Sequence, residues 1–254
     1  MFVWHLPRHG GSEYLPVRHQ RVRGAERRQD ESDPRFPYAD VEINVFSISA
    51  KFINHSKEEK SMATISAFAK RLATVAQEQH SKFQFTNEAD PLLCKQIRKW
   101  TEDIGFSFTS CTTVPWSAVF VSWCVKQAGA TKSEFKFAMA HSVFVNQAIK
   151  NATKGEGVFH GLDVSAHPPD VGDIIQQNRG GNKFDFAFAK THANYISHSV
   201  IVVEIGRDAE GGFAFCIGGN EQDSVRRSVV RLDSKGFVKQ RSANSFICVV
   251  DTLK

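Results

Sequence analysis

Two stretches of the 254-residue chain predict an α+β domain, with N-terminal helices packed on a mainly antiparallel sheet. Between residues 62 and 150, apolar side chains recur three and four residues apart, the helical period. From residue 168 onward the pattern changes to short β-branched or aromatic runs separated by Gly, Asp or Asn, which is strand-and-turn chemistry. Helices first and strands second segregate into separate layers. With 41% hydrophobic and 23% charged residues, the chain has apolar material for one sizeable core and a normal polar surface.

Residues 1–61 differ from the rest of the chain. RHQRVRGAERRQDESDPRFP (18–37) is Arg-rich, mixed in charge and nearly free of aliphatics. Such a segment cannot bury enough surface to order itself. VEINVFSISAKFI (41–53) could form a short strand, without an evident partner. The expectation is a disordered basic extension over 1–61 and a domain over 62–254, with Met62 as the functional start. A basic arm that docks a partner is the alternative.

MATISAFAKRLATVAQEQHSKF (62–83) reads as an amphipathic helix, with Ile65, Phe68, Leu72 and Val75 on one face and Lys70 and Arg71 opposite. A second helix is expected from Asp90 to about Ile104, stopped by Gly105, and another from Met139 to about Lys150. Between them lies VPWSAVFVSWCVKQAG (114–129). Phe120, Val121, Cys124, Val125 and Ala128 keep helical spacing there, and Gly129 is a stop. Ser117 therefore falls in the first turn, where backbone N–H groups lack intrahelical partners and the helix dipole favours negative charge. That suits a nucleophile passing through an anionic intermediate. It equally suits a capping serine.

The remaining composition narrows the function. A net charge of +5 fits an anionic surface such as cell wall or phospholipid. Arg and Lys do not interleave densely with aromatics, which argues against nucleic acid. No apolar run reaches the ~18–20 residues of a membrane span, and the N-terminus lacks a signal-peptide core. Cys94, Cys111, Cys124, Cys216 and Cys248 are widely spaced and odd in number, without CxxC or HExxH. Neither a zinc site nor a disulfide framework is expected, and no metal or organic cofactor is implied. Cys111 reads as a free loop thiol, or one approaching a cleft near Ser117.

Among the histidines, His80 lies on a solvated helix face, and His160 and His167 in a polar loop. His198 opens an apolar strand, HSVIVVEI (198–205), which would hold its ring rigidly. The next strand, GGFAFCIGG (211–219), is followed by Asn220, whose amide oxygen could orient an imidazole. His141 begins a helix and could contact substrate, act as a second acid, or be structural. Asp173 in VGDII reads as a turn residue. Arg179 could hold a substrate carboxylate or cap a loop. NKFDFAFAKTHANY (182–195), with Phe184, Phe186 and Phe188 alternating, reads as an apolar loop bordering the cleft or as an edge strand.

The order of nucleophile on a helix, histidine on a strand and polar residue after the next strand resembles the papain-like NlpC and CHAP peptidases of bacterial cell-wall turnover. Closer still, residues 63–254 resemble the domain-of-unknown-function 2272 family through PWSAVFVSW with KQAG, AHSVFVNQAI, VGDII with Arg179, SHSVIVVEI and GGNEQDSV. The resemblance implies a papain-like fold in which Ser117 is the nucleophile, His198 its base and Asn220 the orienting residue, with Trp116, His141 and Arg179 toward substrate. Two departures stand out. Superfamily peptidases carry cysteine where Ser117 stands, and Val200 occupies a position that is often acidic.

The implied activity is hydrolysis of the peptide part of peptidoglycan, or of another anionic envelope substrate, by an antibacterial effector or lysis enzyme. Such a protein would be made in the cytoplasm without a signal peptide. It would act at the cell envelope after non-classical secretion or lysis, and an immunity or inhibitor protein could be its partner. The alternatives are a lipid acyl hydrolase or acyltransferase on the same fold, and a non-catalytic cell-wall-binding module.

Overall fold

The computed structural model describes residues 65–254. The expectations for residues 1–61, for a strand at 41–53 and for a start at Met62 lie outside the described residues. Four longer helices, α1 (Ala67–Phe83), α2 (Pro91–Asp103), α3 (Ser117–Gln127) and α4 (His141–Lys154), precede β1 (Phe159–Asp163) and β2 (Ile174–Asn178). A short α5 (Phe186–Thr191) then leads into β3 (Ser197–Asp208), β4 (Gly211–Glu221), β5 (Ser224–Leu232) and β6 (Phe246–Thr252). The six strands form one sheet in the order β1-β6-β2-β3-β4-β5. Every pairing between them is antiparallel. The α+β class and the order of layers follow the sequence pattern. Among the described residues no helix is long and apolar enough to cross a membrane.

The helix boundaries have local causes. Ser66 caps α1 by accepting the N–H of Ala69 at 3.0 Å, and Asp90 caps α2 by accepting that of Leu92 at 2.8 Å, ahead of Pro91. Strand register sorts the sheet's side chains onto two faces. Ile174, Ile201, Ile217 and Val250 stand in paired positions and join the core beneath the helices. Their neighbours Ile175, Val200, Val202, Cys216 and Val249 form a second apolar cluster, closed over by Val238 and Phe246. Both faces are therefore dry, and these strands read as continuous apolar runs instead of alternating ones.

Three expectations are corrected. Residues 159–163 form β1, so His160 stands on a strand and not in a polar loop. Segment 182–195 contains the helix α5, not an edge strand. Asp185 caps it through the Phe188 N–H at 2.8 Å, and the Phe184, Phe188 and His192 rings stack successively at 4.3 and 3.8 Å. Finally, Cys94 on α2 and Cys111 in the following loop are joined by a disulfide, with Cα atoms 5.4 Å apart. Cys111 is thus not a free thiol. Cys124, Cys216 and Cys248 are free and buried, and burial pushes their thiols up, as expected of small core residues.

Candidate active site

The site is built where α3 begins. This helix is apolar nearly all round, and every residue from Ser117 to Val125 is buried, so its position is fixed from all sides. Its N-cap is Trp116, whose side chain makes no capping bond. The indole instead donates to Glu88 Oε2 at 2.8 Å and packs on Trp100, with ring centres 5.7 Å apart. Trp116 is only 1% exposed, so it anchors the helix head instead of facing substrate, which corrects its expected role. Strand β4 comes close to the same point because Gly219 has no side chain. A Cβ there would lie 2.5 Å from Phe120 Cβ and 2.8 Å from Trp116 Cζ3.

A second helix head is brought against the first. Ser122 Oγ donates to Ala138 O at 2.9 Å and receives the Ala138 N–H at 3.1 Å. This clips the segment before α4 onto α3. His141, the first residue of α4, then lies with Nε2 at 2.7 Å from Ser117 Oγ. Both side chains are buried. Ser117 is therefore not a side-chain cap of its helix; its hydroxyl is taken by an imidazole. The imidazole in reach is His141, not the expected His198. Burial first, then the His198 ring and the Arg179 guanidinium, hold His141 well below the usual histidine range, so the ring is neutral near pH 7. A neutral imidazole against a serine hydroxyl can accept its proton during attack.

His198 stands on β3, paired across the sheet with Gln177. Its ring centre is 5.2 Å from that of His141, with the two ring planes inclined at 69°. Its Nε2 donates to Glu221 Oε1 at 2.9 Å. The side chain that holds His198 is thus Glu221 and not its neighbour Asn220. The backbone explains the exchange. Asn220 takes a positive φ of 54°, and the β4–β5 register shifts between Gly218 and Glu221. Gln222 and Asp223 follow with φ of 51° and 59°, a tight turn that pairs Glu221 with Ser224. The glycines supply close approach, while non-glycine residues take the left-handed positions. The acid in GGNEQD was the available signal for Glu221.

Two cavities flank this centre. One of about 560 Å³ has a mostly apolar wall that includes Pro115, Met139, Tyr195 and Ile196, with Ser117 and His141 among the polar groups that open onto it. The other, about 260 Å³, is lined by polar groups including His198, Asn220, Glu221 and Arg241. Arg179, just past β2, lines both. No side-chain hydrogen bond or ion pair ties its guanidinium among the described residues, so it can receive an anion. Free N–H groups in the first turn of α3 lie beside Ser117. Tyr195 O–H is engaged by Gln176 Oε1 at 3.0 Å, and burial raises its pKa, so it is not a candidate base.

Elsewhere, Asp173 has the expected turn role. It accepts the Asp170 N–H at 2.8 Å and the Thr252 N–H at 3.1 Å. His167 Nε2 lies 3.7 Å from Asp173 and 3.9 Å from Asp251. These three are the residues whose ligand-type atoms could converge on a metal among the described residues. Asp173 raises the pKa of His167 beside it, and when protonated His167 pairs with both carboxylates.

Residues 96–251, more than half of the chain, match the family described as "Uncharacterized protein conserved in bacteria (DUF2272)". Ser117, His141, Arg179, His198 and Glu221 all fall inside that span. No curated protein and no solved structure matches the chain.

Proposed function

The chain belongs to the DUF2272 family, and we propose that it works as a serine acyl hydrolase of the bacterial envelope, cleaving the peptide part of peptidoglycan. The observation that carries the reaction class is the 2.7 Å contact between Ser117 Oγ and a buried, neutral His141. The peptidoglycan substrate, the NlpC/CHAP-type papain-like assignment, delivery by a secretion machine or lysis and an immunity protein rest on family analogy. The disulfide adds independent support for work outside the cytoplasm, since such bonds persist in oxidising compartments.

Ser117 Oγ attacks the acyl carbon while its proton passes to His141 Nε2, and the carbonyl pair moves onto oxygen. First-turn N–H groups of α3 receive that oxyanion; one such donor typically lowers a barrier by ~3 kcal/mol. Collapse expels the leaving amine, which takes the proton from His141. Water then releases the acyl group by the same steps in reverse order. Arg179 would receive a carboxylate of the substrate. The apolar wall of the larger cavity favours one second reading, a lipid acyl hydrolase.

Incubation with purified sacculi and, separately, with phospholipid vesicles tests both. Fragments released from sacculi by the parent but not by Ser117→Ala are expected. Release of fatty acid alone would move the protein to the second reading. Unchanged turnover in Ser117→Ala, or release from neither substrate, would overturn the hydrolase assignment.

A further inference from the structure

His141 and His198 each keep one buried ring nitrogen, Nδ1, without a partner among the described residues. A buried polar atom left unpaired costs roughly 1–3 kcal/mol, so two of them side by side call for an account. Their polarity can be worked out from the nitrogens that are paired. A carboxylate only accepts, so the contact with Glu221 puts a proton on His198 Nε2. In the neutral ring, His198 Nδ1 is then an acceptor. On the other ring, a hydroxyl ready to lose its proton donates to His141 Nε2, which leaves the proton of neutral His141 on Nδ1, as a donor. The two orphaned atoms are a matched donor and acceptor.

They are also within reach. Ring nitrogens lie about 1.2 Å from the centre of an imidazole. Two rings with centres 5.2 Å apart bring their nitrogens to about 2.8 Å, a normal N–H···N length, when both nitrogens lie on the line between the centres.

We propose that His198 and Glu221 are positioning residues for His141, the Nδ1–H of His141 donating to Nδ1 of His198 in a chain Ser117–His141–His198–Glu221. The inference rests on the reading of Ser117 and His141 as nucleophile and base. His198 fixes the tautomer that leaves His141 Nε2 free to take the Ser117 proton. When His141 becomes an imidazolium, Glu221 stabilises that charge through His198. No proton leaves the chain; the one received at Nε2 goes on to the leaving group.

Histidine-selective ¹⁵N NMR of the full chain at pH 7 reads the tautomers directly. His141 protonated at Nδ1 and His198 protonated at Nε2 is the expected result. His141 protonated at Nε2, or His198 protonated at Nδ1, would overturn the proposal. Kinetics on a generic ester, p-nitrophenyl acetate, gives the second reading. His198→Ala should lower kcat at least tenfold, in keeping with the loss of an oriented base. His198→Asn should recover much of it, because the amide oxygen can accept the same N–H. Equal losses in the two variants would mean that His198 only fills space, and would refute the positioning role. Labelling of Ser117 by a fluorophosphonate tests the hydrolase reading separately. An unlabelled, inactive parent sinks that reading, while the tautomers still decide whether the bond between the imidazoles exists.

Discussion

Reduction of the Cys94–Cys111 bond should both loosen the domain and disable the site. The two cysteines are 17 residues apart, and constraining a loop of that size in the unfolded chain stabilises the native state by about 3 kcal/mol. For a domain of this size that corresponds to roughly 6–12 °C in melting temperature. The bridged segment runs from α2 to the loop that enters α3, so its release frees the approach to Ser117 as well. Full-length protein from an oxidising compartment should expose three titratable thiols in denaturant, those of Cys124, Cys216 and Cys248, and all five after reduction. The double variant Cys94→Ser with Cys111→Ser avoids leaving a reactive thiol. It should melt lower by the stated amount and lose more acyl-transfer activity than its unfolded fraction explains. Five thiols titrating without reductant, or a melting point within about 2 °C of the parent, would refute the reasoning.

The close approach of β4 to α3 predicts that Gly219→Ala costs about 1–3 kcal/mol in urea denaturation, because Phe120 and Trp116 must both shift. Trp116→Phe removes the indole donor to Glu88 and should lower stability by about 1 kcal/mol with KM unchanged; a KM effect without a stability loss would return Trp116 to the substrate. A base held well below the usual histidine range should place the acid limb of kcat/KM well below pH 6.5. Arg179→Ala should move that limb upward, since one of the charges opposing the imidazolium is gone. The same depressed group binds its proton first in the unfolded chain, so stability should decline as pH falls below about 6.5, which pH-dependent denaturation would measure.

Much of this architecture is written locally. The apolar period of residues 117–128 and the strand runs around Ile174, Ile201, Ile217 and Val250 need no tertiary information to be seen. The failures have separate causes. FHGLD is five residues with a glycine in it, too short to show a period. In NKFDFAFAKTHANY the two-residue alternation of phenylalanines hid a four-residue one, Phe184–Phe188–His192, together with its Asp185 cap. The disulfide spacing matches no motif, and only the return of the loop to α2 brings the sulfurs together. At the site, His198 was visible because a strand presents it. His141 became its neighbour through the Ser122 clip, a contact across 16 residues that no period announces. Glu221 displaced Asn220 because a run of left-handed residues turned the chain by one position.

The serine at position 117 bears on which imidazole chemistry this pocket suits. A thiolate–imidazolium pair needs a histidine that is already protonated at rest, which calls for a solvated or anion-flanked ring that stabilises positive charge. His141 has the opposite surroundings. It is buried, it faces a second imidazole, and the nearby Arg179 guanidinium opposes any added charge. Such a ring stays neutral until a proton is delivered to it, and a neutral ring is what an alcohol requires, because its proton leaves only as the bond to carbon forms. Among the described residues, the carboxylate that touches the paired rings is Glu221, one ring away, on His198. There it could offset the imidazolium formed during attack without charging His141 beforehand. The burial around His141 and the hydroxyl of Ser117 are therefore matched to each other, which argues against Ser117 as a cysteine lost from an otherwise unchanged site. Ser117→Cys accordingly should yield a thiol that alkylates slowly at neutral pH and turns over less well than the parent. Rapid alkylation with retained turnover would mean that the pocket supports the ion pair after all.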